Sequence, residues 1–333
     1  MPQMADPAES YSLVTPSDET VVGCRFLYVG GAGTVVIQPY AGATAVSFVN
    51  VPAGSYLPVQ CYRVMNATTA TGIVALGGRI PAFTPLHLGS SLAAWWSADD
   101  HGTARMVDDG AGVISQHNDR VGGMALNGTT TQRPLWKAAS FNGFSEVLFD
   151  GVANVLFSTG IGSLPVASVG GELWLLCRQL TAGATAGTRV MMSCGTQAAA
   201  SLRGLYRMSV SSVNRAAVHD GTTALTDTLA DLSSYAIVGG AWAGTTEEGR
   251  INGAVFSPAS ATIASLNTGT TRLALGASAG LASFANIGVR HAFVTTTLTA
   301  LQRQQMEGWL AWDAGLQATS ILPVSHLYKT VRP

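Results

Sequence analysis

Charge is what this sequence has least of. Only 11% of its 333 residues are Asp, Glu, Lys or Arg, against roughly a quarter in an ordinary globular chain. Eighteen basic residues stand against nineteen acidic ones, for a formal net charge of -1. No basic excess exists to neutralise phosphates, so a nucleic-acid partner is not expected. No run of eighteen apolar residues occurs either, so no membrane span is expected. Met1-Pro-Gln-Met-Ala-Asp-Pro7 lacks the basic flank and apolar core of a secretory signal, and the expectation is synthesis in a cytoplasm. Cysteine is scarce: four residues, at 24, 61, 177 and 194, with no C-x-x-C pair. Zinc is therefore not indicated. Each cysteine sits in an apolar stretch and reads as a buried thiol, and a bridge between Cys24 and Cys61 is geometrically open.

The usual catalytic signatures are missing too. There is no G-x-S-x-G elbow, and the histidines, His117, His219 and His291 among them, show no ligand-like spacing. Glycoside hydrolysis needs two carboxylates flanking the scissile bond, and no Glu-x-Asp-x-x-Glu strand supplies them. Glu247 and Glu248 are adjacent, so on a strand they would point to opposite faces; a loop pair is the reading here. These absences lead to the expectation that the protein is not an enzyme. Asp99, Asp100, Asp108 and Asp109 surround His101 and Arg105. A solvated polar loop is the simpler account of them, and calcium is the alternative, since oxygen-rich loops can bind it. No other metal or cofactor is expected.

What the chain does have is 47% hydrophobic residues and 38 glycines. That composition argues against disorder and, with few charges to keep copies apart, favours homo-oligomers. The pattern is all-β. Residues 1–80 read as a small β domain: Arg25–Val29 as a strand, Gly30-Gly-Ala-Gly33 as a turn, Thr34–Gln38 as the returning strand, and Tyr56–Val64 as a longer strand with Pro58 at an edge or bulge. Gly77-Gly78 and Pro81–Pro85 announce a linker, taken as 81–89, and residues 90–333 form the second domain. There, many short strands at regular spacing argue for a sandwich or jelly roll. Arg250–Phe256 reads as a hairpin turning on Asn252-Gly253. One helix closes the chain. Thr299 is its N-cap and Gln302 completes a capping box, and Leu301, Trp309, Trp312 and Leu316 form a stripe expected to plug the sandwich. Trp95 and Trp174 are assigned to the core.

Two stretches carry a family resemblance. Trp95-Trp-Ser-Ala-Asp-Asp100, Val113–Arg120, Arg133-Pro134 and Val147-Leu-Phe-Asp-Gly151, with Met306-Glu-Gly-Trp-Leu-Ala-Trp312, Leu322-Pro323 and His326-Leu-Tyr328 at the end, resemble concanavalin A-like, laminin-G-like domains of phage and bacterial surface proteins. The sequence departs from that family at Ser97, where an aspartate is usual, and at His117, where a tryptophan is usual. Leu13–Asp18, Leu27–Gly30, Phe48–Gly54, Leu57-Pro58 and Thr68–Leu76 are similar to head-spike base proteins of gene transfer agents and tailed phages. Together the resemblances imply a spike made in a bacterial cytoplasm and displayed on a virion or phage-like particle. The N-terminal module would dock to a capsid or spike-base protein, and the jelly roll would bind host capsular or surface polysaccharide. Sugar rings need aromatic faces and planar polar groups, and Trp136, Tyr206, Arg207, His219, Asp220 and Trp242 are the residues proposed for that contact. A purely structural spike without ligand and a capsule depolymerase are the competing readings.

Overall fold

The computed structural model describes residues 11–18, 22, 24, 26–39, 44–59, 61–76, 83–141, 143–162, 164–180, 187–198, 201–210, 213–222, 224–227, 235–263, 267–316, 321–329 and 333. Gly77, Gly78 and Pro81 of the expected linker lie outside them. The protein is all-β, with one α-helix among the described residues. It divides into two compact units, Met1–Gly89 with Pro333, and Ser90–Arg332.

The smaller unit holds two short sheets. One contains Tyr11–Leu13, Thr71–Leu76, Phe26–Gly31 and Ser55–Leu57; the other contains Val46–Val51, Gly33–Gln38 and Arg63–Val64. Leu27, Val29, Val35, Ile37, Cys61, Val64 and Ile73 fill its core. Two expectations are corrected here. Gly30-Gly-Ala-Gly33 is not a hairpin turn, because the strands on either side belong to different sheets. The glycines are needed for close approach instead: a Cβ on Gly33 would lie 2.5 Å from the Ala70 backbone nitrogen. Tyr56–Val64 is not one strand. It breaks after Leu57, at Pro58, and its two ends pair in different sheets, as a residue without an N–H dictates.

The larger unit is a two-sheet sandwich. Its nine-stranded sheet runs in the order Ala224–Thr226, Val213–His219, Leu202–Val210, Arg189–Gly195, Arg272–Leu275, Leu156–Phe157, Ala125–Asn127, Ile114–Asn118 and Met106–Asp108. The eight-stranded sheet runs Leu135–Phe141, Phe144–Asp150, Asn286–Thr296, Gly171–Gln179, Tyr235–Ala243, Thr246–Ile251 and Ala254–Thr262, with Leu92–Ser97 paired to Asn286–Thr296. Alternation sends Trp96, Phe149, Leu173, Leu175, Val238 and Trp242 inward from one sheet to meet Met192, Leu205, Val218 and Leu273 from the other, the usual way a sandwich builds its core. Asn252 and Gly253 both have positive φ, as a type I′ hairpin turn requires.

The helix Ala300–Asp313 carries the capping box, with Thr299 Oγ1 accepting from Gln302 N–H. It does not plug the sandwich. It covers the outer face of the eight-stranded sheet, where Trp309 meets the ring of Trp95 at 5.5 Å, edge to face, and Trp95 stacks on Phe293. Its buried run is Gln305–Ala311, while Leu301 and Trp312 are half-buried. Of the expected stripe Trp309 and Leu316 are buried; the rest of the face was missed because two of its buried positions, Gln305 and Glu307, are polar and carry no hydrophobic signal. Trp95 and Trp174 are buried as expected. Trp174 lies across Gly239, where a Cβ would come within 2.6 Å of its ring.

Candidate functional site

The six proposed sugar contacts do not converge. Trp136 lies on the edge strand Leu135–Phe141, where its N–H bonds the carbonyl of Gly112. Its indole stacks on His101 with centroids 3.5 Å apart and donates to the carbonyl of Ala98. Tyr206 and His219 lie on the outer face of the nine-stranded sheet and stack at 4.9 Å. The Tyr206 ring lies over Gly204, where a Cβ would sit 2.2 Å from it. Arg207, Asp220 and Trp242 alternate to the opposite face and are buried between the sheets. Arg207 donates to Asn214 Oδ1 at 3.1 Å, and Asp220 accepts from Thr222 N–H. Arg207, Asp220, Trp242 and Tyr206 are thus closed to a ligand in this structure, and the expectation of one six-residue site is corrected. The reason is strand phase: residue type was legible in the sequence, but which face each strand turned to the core was not.

The calcium alternative fares the same way. Asp99 is forked by Arg290 at 3.0 Å. Asp100 is held by Arg120 and His117; burial would raise its pKa, and those two partners bring it below the usual carboxylate range. Asp108 meets His101 at 3.1 Å, and that hydrogen bond likewise holds it low. Asp109 accepts from the N–H groups of Ala111 and Val113. Four carboxylates with four separate sets of partners do not form one oxygen cage. Asp99, His291 and Asp313 do bring ligand atoms within 4.8 Å of one another. There, however, the Arg290 guanidinium already bridges both carboxylates.

Two arrangements were not foreseen. The first is a cavity of about 340 Å³ beside the strand Ala125–Asn127, bounded by Ala93, Asp119, Gly122–Ala125, Asn127, Ser158–Gly160 and Gly162. Asp119 shapes it by accepting from the N–H groups of Val121, Gly122 and Met124. Gly123 completes the loop at φ +76°. Ser158 Oγ accepts from Leu273 N–H, while the Asn127 and Thr159 side chains are not committed to any hydrogen bond among the described residues. The visible signal was the Asp-Arg-Val-Gly-Gly stretch, an Asx-type loop.

The second is Glu247. It lies in the strand Thr246–Ile251, not in a loop, and the pair splits as strand geometry demands: Glu248 faces Arg303 and Arg250 outside, while Glu247 points inward. Glu247 is fully buried, and among the described residues neither carboxyl oxygen has a partner within hydrogen-bond geometry. Burial, reinforced by the Asp220 charge, pushes its pKa up to about 8, with Trp242 and the Leu225 backbone opposing the shift. Only the packing of one sheet against the other brings Asp220 and Glu247 together.

No protein-family model matches the chain, and no curated protein does. Solved structures do. An arabinofuranosidase complexed with arabinofuranosyl-alpha-1,2-xylobiose matches at 10% identity and TM-score 0.46, over 83% of this chain and 60% of that one. Trypanosoma rangeli sialidase in complex with sialic acid matches at 11% identity and TM-score 0.47, over 88% of this chain and 45% of that one. The chain spans between about a third and three fifths of the proteins it matches. Both are glycosidases, and the expectation of a chain without enzymatic activity is set aside on that finding. At these scores the likeness transfers no activity or substrate.

Proposed function

We propose that the protein is a glycan-binding spike component of a phage-like particle. In this reading the sandwich recognises a host surface polysaccharide, and the small N-terminal unit docks to a capsid or spike-base protein. The particle context rests on the sequence resemblance of residues 13–76. The recognition half rests on one observation, the cavity beside Asn127 and Thr159. Its lining is glycine-rich, with Ala93, Met124 and Ala125 as apolar members and Asp119, Asn127, Ser158 and Thr159 as polar ones; Asp119 is its one ionisable residue, and that carboxylate is already occupied by backbone N–H groups. Ligand pockets for apolar molecules are walled by aromatic and aliphatic side chains. This one offers uncommitted amide and hydroxyl groups instead, which suits a hydroxyl-rich ring. Modest affinity per site would be multiplied by displaying several copies on one particle.

The test compares binding of purified protein to encapsulated and capsule-free cells of one strain, for the native chain and for Asn127→Ala with Thr159→Ala. Capsule-dependent binding that the double variant loses supports the reading. Equal binding to both cell types, or full retention in the variant, overturns it. The buried acids Asp220 and Glu247 cannot flank a scissile bond, because no sugar reaches them between the sheets. Release of new reducing ends from capsule by the native chain would nevertheless replace binding by hydrolysis.

A further inference from the structure

Two of the four cysteines stand directly opposite each other. Cys24 and Cys61 form an isolated antiparallel bridge in the smaller unit and exchange both backbone hydrogen bonds, at 2.8 and 2.9 Å. Both side chains are buried and both are free thiols. A mutually hydrogen-bonded antiparallel pair places its Cα atoms about 5.5 Å apart, inside the range a disulfide spans. Directly opposed Cβ atoms lie ~4.5–5.5 Å apart, and a disulfide needs roughly 3.5–4.5 Å. A hydrogen-bonded pair sits at the wide end of that range, so the two residues must draw together by about 1–2 Å. Among the described residues they form an isolated bridge outside the continuous strands, with Val22 N–H bonded to the Tyr62 carbonyl beside them. The other two cysteines have no such geometry. Cys177 and Cys194 belong to strands of the two opposed sheets, and burial raises each thiol to about 12.

The geometry points to a latent disulfide between Cys24 and Cys61, closed by exchange with a small-molecule disulfide when the chain meets an oxidising environment. Cys24 is the attacking sulfur. Its contact with the Cys61 thiol holds it below the ordinary thiol range, while the same contact and burial raise Cys61. The Cys24 thiolate attacks one sulfur of R–S–S–R, forming a mixed disulfide and expelling one thiolate RS⁻. Cys61 then gives up its proton, and its sulfur attacks Cys24 Sγ, expelling the second RS⁻. Two protein thiols are oxidised, one external disulfide is reduced to two thiols, and the two thiol protons pass to them. The bond would tie the segment that leads into Phe26–Gly31 to the one that leads into Arg63–Val64, closing the loop from residue 24 to residue 61.

The test incubates the full-length native chain with oxidised glutathione, denatures it, and blocks remaining thiols with N-ethylmaleimide. The expected result is two maleimide adducts instead of four, with tryptic peptide 1–25 joined to 26–63. The first thermal transition should rise by at least about 5 °C, as closure of a loop of this size implies, and dithiothreitol should reverse it. Four adducts, a joined peptide containing Cys177 or Cys194, or glutathione left on Cys24 would each overturn the inference. Cys61→Ser should stop at a single glutathione adduct on Cys24. Should that variant fail to fold, the peptide map of the native chain decides alone.

Discussion

The outer and inner faces of the eight-stranded sheet treat buried acids in opposite ways. On the outer face each acid under the helix has a base. Glu172 accepts from Arg303, Trp174 and the N–H of Leu298. Glu307 is forked by Arg250 and met by His326, and Asp313 is shared by Arg290 and His291. On the inner face Glu247 meets another acid, Asp220, and no base among the described residues. A buried charge with a fitted partner survives ionised, whereas one without a partner keeps its proton. The outer face is therefore a fixed clamp for the helix, and the inner acid is poised to titrate.

Removing a base from the clamp should have the largest effect. Arg250→Ala leaves Glu307 buried with His326 as its remaining partner, and denaturant unfolding should show a loss of about 3–5 kcal/mol. The inner acid comes next. The folded pKa of Glu247 lies near 8, above its ordinary value near 4.5, so the folded state binds the proton more tightly than the unfolded chain. Its contribution is full below pH of about 4.5 and is lost as pH rises through about 8, for a change of up to roughly 5 kcal/mol. Glu247→Gln should flatten that decline, with the native chain and the variant nearly equal at pH 5 and the variant more stable at pH 9. A decline of equal depth in the variant would refute the assignment.

The clamp should fail at the other end of the scale. Burial disfavours the Asp313 charge, but His291 and Arg290 more than compensate and depress its pKa to about 2. Its contribution is present above the unfolded value near 3.8 and lost as pH falls toward 2. Asp313→Asn should remove about 2 kcal/mol at pH 7 and little at pH 2. The smallest effect belongs to the cap. Thr299→Ala should lower stability by about 1 kcal/mol, because one N–H of the first turn loses its acceptor.

Local order was legible in residue types. The capping box at Thr299 and Gln302, the Asn252-Gly253 hairpin and the all-β character all follow from short-range rules that need no tertiary partner. The helix's buried face was misread because Gln305 and Glu307 are polar, and a polar residue is buried only when a distant base such as Arg250 waits for it. The sugar residues were chosen by type, but strand phase put Arg207, Asp220 and Trp242 inside and left Tyr206 on the outer face, buried against His219 and Gly204. The cavity at Asn127 and Thr159 joins segments about thirty residues apart that share no motif.

By itself the sequence determined that this chain would be β-rich, poor in charge, punctuated by glycine and closed by one capped helix, because propensity, turn chemistry and capping act within a few residues. Tertiary structure alone decided which acids have bases, that Cys24 faces Cys61, and that Glu247 meets Asp220. Each of those pairings crosses between segments distant in sequence, and burial, which sets their chemistry, exists only once the chain has packed.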